Sequence, residues 1–98
     1  MQWITVASPP FTSIEQFDSM LDQLGGNPDG LNERYVGTAT DGTLRVVSLW
    51  ESKAHADQFF ASERFSSALA KVLGPEPVGA AEIVGIDVAR SYVREPVA

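Results

Sequence analysis

His55 is the only histidine in the chain, and imidazole is the one side chain whose ordinary pKa lies near neutrality. It follows Ser52 by three residues, so it could stand as a general base at the mouth of a pocket between a helix and a sheet. The competing reading is a partly exposed residue in the first turn of that helix, beside Phe59 and outside the line from Ala56 to Phe60. A lone imidazole without a positioned partner is weak ground for acid–base catalysis, and the second reading weighs more. One histidine and no cysteine also fall short of the three protein ligands a catalytic zinc requires, so no metal site is expected.

The large aromatics with polar tips are Trp3, Tyr35, Trp50 and Tyr92. Such side chains can line a pocket for a flat ligand, with the polar tip fixing orientation. More often they anchor a core or an interface, and Trp50 is read that way first. Arg34 and Arg45 flank the Asp41-Gly42 turn, where a clamp on a substrate carboxylate competes with solvated strand-edge charge as the default. Phe17, Phe59, Phe60 and Phe65 fall on apolar stripes and read as core. The glycine-rich run from Gly25 to Gly30 precedes a strand, the reverse of a phosphate cradle. No nucleophile motif, paired-histidine zinc motif or Walker sequence is present.

These residues sit in 98 positions, enough for one domain spanning 1–98. A chain of this size buries only about 60–65% of the surface its unfolded form exposes, so a partner that covers more would help it. The absence of cysteine fits a reducing compartment. The N-terminus has no basic segment followed by a signal-length apolar run, and no stretch nears the roughly 18 apolar residues of a spanning helix. A cytoplasmic protein that does not enter membranes is the expectation. The net charge is −6 and the seven basic residues are scattered, which disfavours nucleic acid and anionic membrane surfaces as partners.

Hydropathy periodicity sets the order of elements. Gln2 to Ser8 reads as a strand ended by Pro9-Pro10. Thr12-Ser13-Ile14-Glu15 reads as a capping box, and Ile14, Phe17, Met20, Leu21 and Leu24 follow at helical spacing. Gly25-Gly26 supplies the left-handed stop. Leu31 to Thr40 and Thr43 to Trp50 read as two strands joined at Asp41-Gly42, for which a type I′ turn is expected. Ser52 caps the next helix, and Ser62 caps a second helical piece carrying Phe65, Ala68, Leu69, Val72 and Leu73. Gly74-Pro75 ends it. Ala80 to Val93 reads as a long last strand with a bulge or bend at Gly85.

The order β-α-β-β-α-β predicts a ferredoxin-like α+β fold, a four-stranded antiparallel sheet with helices on one face. The other face should then alternate polar, and it does not. Strand one sets Trp3 against Ile4 and Val6, strand three sets Leu44, Val46 and Trp50 against Val47 and Leu49, and strand four is apolar on both sides. Packing of two sheets about a two-fold axis is the expected remedy, giving a homodimer through sheet faces. A monomer with a wide apolar ligand groove is the alternative.

Trp50-Glu51-Ser52 closing the third strand, with Ser62-Glu63-Arg64-Phe65 after it, resembles the dimeric α+β barrel superfamily. The similarity is to its antibiotic-biosynthesis monooxygenase-like domains, and it spans nearly the whole chain. It implies a homodimeric barrel with a small-molecule pocket between each sheet and its helices. The haem-degrading branch uses a strand-one asparagine, a helix tryptophan and a histidine ligand. The resemblance places these at Ala7 or Ser8, at Phe59 and near Leu69, so haem cleavage is not expected. The quinone-forming branch oxidises polycyclic phenols with oxygen and no cofactor. On that model His55 is the candidate catalytic residue, and Tyr35, Trp50, Phe59, Arg45 and Tyr92 are candidate substrate-binding residues. The expectation is a small-molecule-binding or accessory protein with no cofactor. A cofactor-independent monooxygenase acting on an aromatic or other activated apolar substrate is the alternative, and the sequence leaves open whether the chain is an enzyme.

Overall fold

A computed structural model of the chain describes residues 2–9, 11, 13–73 and 82–94. The elements run β1 (Trp3–Ser8), α1 (Ile14–Leu24), β2 (Leu31–Thr38), β3 (Leu44–Trp50), α2 (Lys53–Phe60), α3 (Glu63–Leu73) and β4 (Glu82–Asp87). The four strands form one antiparallel sheet in the order β2-β3-β1-β4. This is the ferredoxin-like order expected from the sequence. Thr12, the Gly74-Pro75 stop, Ala80 and the chain beyond Arg94 lie outside the described residues.

Each helix begins where a serine can satisfy free backbone donors. Ser13 caps α1, its Oγ accepting from the Gln16 N–H at 3.2 Å. That is one residue later than the hydroxyl expected to lead the capping box. Ser52 caps α2 by accepting from the His55 N–H, and Ser62 opens α3 by accepting from the Phe65 N–H at 3.2 Å. The Ser62 hydroxyl also donates to the Phe59 carbonyl at 2.7 Å, fixing the corner between the two helices. Gly25, at φ 73°, ends α1 in the left-handed conformation that costs a residue with a Cβ about 1 kcal/mol.

The hairpin joining β2 and β3 differs from the expected type I′ turn. No residue other than glycine has positive φ among the described residues, so Asp41 keeps negative φ and only Gly42 is left-handed. The Gly42 N–H donates to the Ala39 carbonyl at 2.9 Å and the Ala39 N–H to the Thr43 carbonyl at 2.8 Å. This is a three-residue loop closed by a glycine bulge. Asp41 stabilises it by accepting from the Thr43 hydroxyl at 2.5 Å and the Thr43 N–H at 3.0 Å. Those bonds hold its carboxyl below the usual carboxylate range.

Helices cover one sheet face. Phe17, Met20 and Leu24 of α1 meet Ala68 of α3, and with Phe11 they pack on Leu44 and Val46 of β3. The last strand is shorter than expected. Among the described residues β1 is its only neighbour, and the final bond between them runs from the Val88 N–H to the Gln2 carbonyl at 3.2 Å. Beyond Val88 the described residues pair with no strand.

Gly85 is not the expected bulge either. It stands in unbroken register opposite Thr5, and a Cβ there would overlap the Trp3 indole at Cζ2. The missing side chain lets Trp3 lie across β4, with the Lys53 Nζ 5.7 Å from the ring centroid on another side. Gly85→Ala should therefore cost about 1–3 kcal/mol by displacing the indole, readable by urea denaturation with a change in Trp3 fluorescence. An unchanged midpoint would mean that Trp3 does not hold this position. No helix among the described residues is long and apolar enough to cross a membrane.

Candidate functional site

Strand register determines which side chains meet under the helices. Pairings of Arg34 with Ser48, Ser48 with Thr5, and Thr5 with Gly85 align four residues in one row straight across the sheet. On one side runs the apolar row Val36, Val46, Ala7 and Ile83. On the other lie Trp50, Trp3 and Asp87. The middle row is thus polar, and it faces the same side as the buried core positions of β3.

Its groups are held tightly. Thr5 and Ser48 are both buried. The Trp50 Nε1–H donates to Thr5 Oγ1 at 3.0 Å, and the Arg34 Nε–H donates to Ser48 Oγ at 3.2 Å. Trp50 has 0% exposure, and Phe59 and Phe60 lie against it with centroids at 5.5 and 6.0 Å. Phe65 completes the cluster, 5.0 Å from Phe59 and 5.4 Å from Phe60. These three phenylalanines remain half-buried, so they form a rim above the tryptophan.

Arg34 stands at that rim. Its guanidinium carbon is 5.7 Å from the Phe59 centroid and 6.0 Å from that of Trp50. Burial pushes its pKa down from the usual arginine value by penalising the charged form, yet a guanidinium stays protonated at neutrality. Among the described residues the ion pairs are Arg45 with Asp41 and Lys53 with Asp57, and none includes Arg34. Its Nε–H to Ser48 is the side-chain hydrogen bond it makes among the described residues, and no buried side-chain nitrogen there lacks a partner.

Of the residues singled out from sequence, Trp50 and Phe59 meet in this cluster. Trp50 serves there as a covered anchor. His55 sits in the first turn of α2, its Nδ1 2.7 Å from Ser52 Oγ. Its ring rests on Gly30, where any Cβ would overlap it. Tyr35 and Arg45 pair with Val47 and Gly37 on the opposite sheet face, away from the helices. Arg45 is bound to the hairpin through Thr43 Oγ1, the Leu44 carbonyl at 3.2 Å and Asp41 at 3.5 Å. Tyr92 lies beyond β4 and is 89% exposed. Among the described residues no three His, Cys, Asp or Glu side chains are grouped to hold a metal ion.

Sequence reasoning undervalued Arg34, because its facing depends on a strand irregularity that the residue pattern does not announce. Leu31 is opposite Trp50 and Arg34 opposite Ser48, both on the helix side, although their numbers differ in parity. A bulge between Leu31 and Glu33 supplies the extra residue. Without it Arg34 would point to the open face.

No family model matches the sequence, and no curated protein does. Solved structures share the fold. An assigned antibiotic biosynthesis monooxygenase of Caulobacter crescentus is 21% identical, with a TM-score of 0.63 over 91% of each chain. A dimeric ferredoxin-like protein of unknown function from Thermobifida fusca is 17% identical, with a TM-score of 0.61 over 90% of this chain and 92% of that one. SnoaB, a cofactor-independent oxygenase of Streptomyces nogalater, is 8% identical at a TM-score of 0.61, covering 92% and 93%. The fold is that of the antibiotic biosynthesis monooxygenase-like and dimeric ferredoxin-like proteins.

Proposed function

We propose that the 98 residues form one small-molecule-binding or accessory domain acting as a homodimer, with a ligand seat at the rim between sheet and helices. The observation that carries this reading is the polar row of Arg34, Ser48 and Thr5 beneath an aromatic cluster. A face that existed only to be packed by helices would be apolar throughout, because each buried polar group must be hydrogen-bonded merely to break even. Convergent polar groups beside apolar walls are the usual makings of a ligand site.

The dimer rests on the other face. Tyr35, Val47, Val6 and Val84 form one row across it, and Leu49, Ile4 and Ile86 another. Tyr35 is 62% exposed and Val84 60%. Pairing two such faces removes this surface from water without involving the helix side. Sedimentation equilibrium at micromolar concentration should return twice the 10.6 kDa chain mass. Thermal unfolding with a panel of planar aromatic compounds should show at least one that raises the midpoint. A ligand at a hundred times its Kd adds about 2.7 kcal/mol. A panel without any shift would leave assembly as the function and remove the binding reading.

The second reading, a cofactor-independent monooxygenase, is favoured by one observation, the fold shared with SnoaB. The candidate base His55 is engaged by Ser52, and no cofactor is called for by the residues of the rim. Oxygen uptake on adding an activated polycyclic phenol to the purified protein would promote this reading over the first.

A further inference from the structure

Arg34 is the one charge in the row beneath the helices, and its place there is hard to explain by packing alone. A guanidinium offers five N–H donors, and the structure uses one of them, at Ser48 Oγ. Taking a charge partly out of water is unfavourable unless something compensates. Cation–π contact with Trp50 and Phe59 returns part of that cost. A methionine would cover the same rings with no charge to desolvate. The two Nη atoms, in no hydrogen bond or ion pair among the described residues, form the fork that matches a carboxylate with two parallel bonds.

No carboxylate pairs with that fork among the described residues. On β2 its neighbours Glu33 and Tyr35 point to the other sheet face. The residue across the ladder is Ser48, which is neutral, and the helical ring beneath the guanidinium is that of Phe59. In a chain of net charge −6 with thirteen acidic residues, this half-buried arginine makes no ion pair among the described residues.

From this we infer that the rim takes a planar aromatic carboxylic acid, its carboxylate bridged by the Nη atoms of Arg34 and its ring laid along Phe59 and its phenylalanine neighbours. The inference rests on the ligand-binding reading above and names the chemical class of that ligand. Phe59 supplies the apolar contact, Arg34 the orientation, and Ser48 keeps the guanidinium plane fixed through Nε.

The test uses two probes with the same ring, 2-naphthoate and the uncharged 2-naphthamide, titrated calorimetrically into the full-length protein. Naphthoate should bind roughly tenfold or more tightly than naphthamide. Its affinity should fall with added salt while that of naphthamide stays constant. Arg34→Met should erase the difference, and Arg34→Lys should keep part of it. Equal affinities in the wild-type protein, or naphthoate binding untouched by Arg34→Met, would overturn the carboxylate assignment alone. If neither probe binds, the assignment and the binding reading fall together. The salt comparison needs no variant, so it decides the matter even if Arg34→Met fails to fold.

Discussion

Trp50→Ala should remove about 3–5 kcal/mol of folding stability, the range for deleting a fully buried large aromatic side chain. The whole domain has about 5–15 kcal/mol to lose, so the variant should unfold at a markedly lower urea concentration and temperature. Three separate losses add up at this one position. The indole is entirely covered, it contacts Phe59 and Phe60, and its Nε1–H satisfies the buried Thr5 hydroxyl. Thr5→Val isolates the last of these. It keeps the shape of the side chain but leaves the indole N–H unpaired, at a cost of about 1–3 kcal/mol. Combining Trp50→Phe with Thr5→Val removes both partners, and should cost less than the two single changes added. Urea denaturation reads all four proteins. A cost below about 1 kcal/mol for Trp50→Ala would contradict the packing described here.

Val47→Lys should separate the proposed homodimer while leaving the fold intact. Val47 lies on β3 in the middle of the open sheet face, between Tyr35 and Val6. In a free chain its side chain is already exposed, so the change falls among surface substitutions worth about 0.5 kcal/mol or less. Face-to-face packing about a two-fold axis instead places two lysines in one apolar contact. At several kcal/mol per unpaired buried charge, the dissociation constant should rise by at least about a thousandfold. Sedimentation should then give monomers with unchanged circular dichroism. A variant that stays dimeric would move the interface to another surface. Arg45 offers a control, because its ties to the hairpin keep it at the edge of this face.

How much of this could be read from sequence varied with how local the cause was. The β3-to-α2 junction was legible because Ser52 and the strand before it act within a few residues. The same holds for the α1 stripe and the glycine that ends it. The turn type was missed because Asp41-Gly42 was read as a two-residue loop, whereas hydrogen bonds from Ala39 and to its carbonyl close a three-residue one. Strand four was overextended since its limit lies in β1, at the far end of the sequence. The candidate site suffered most from parity. A single extra residue after Leu31 decides that Arg34 faces the helices and Tyr35 the open side. Periodicity alone cannot locate such a bulge. Nor did the glycine at position 85 announce its purpose, which becomes visible only when Trp3 is seen lying over it.

The thin attachment of β4 also says something about time. The β2–β3 hairpin closes over a handful of residues, whereas the β1–β4 ladder joins Trp3 to Asp87 and must wait for almost the entire chain. Closing long loops costs more entropy and slows folding, so the last strand enters after the remainder has been assembled. It docks along one edge only, and all six of its residues stay exposed. Regions with so few apolar contacts are also the first to open in a finished protein. Val84 and Ile86 lie on the face we assign to the second copy, so association would hold down the strand that intramolecular contacts hold least.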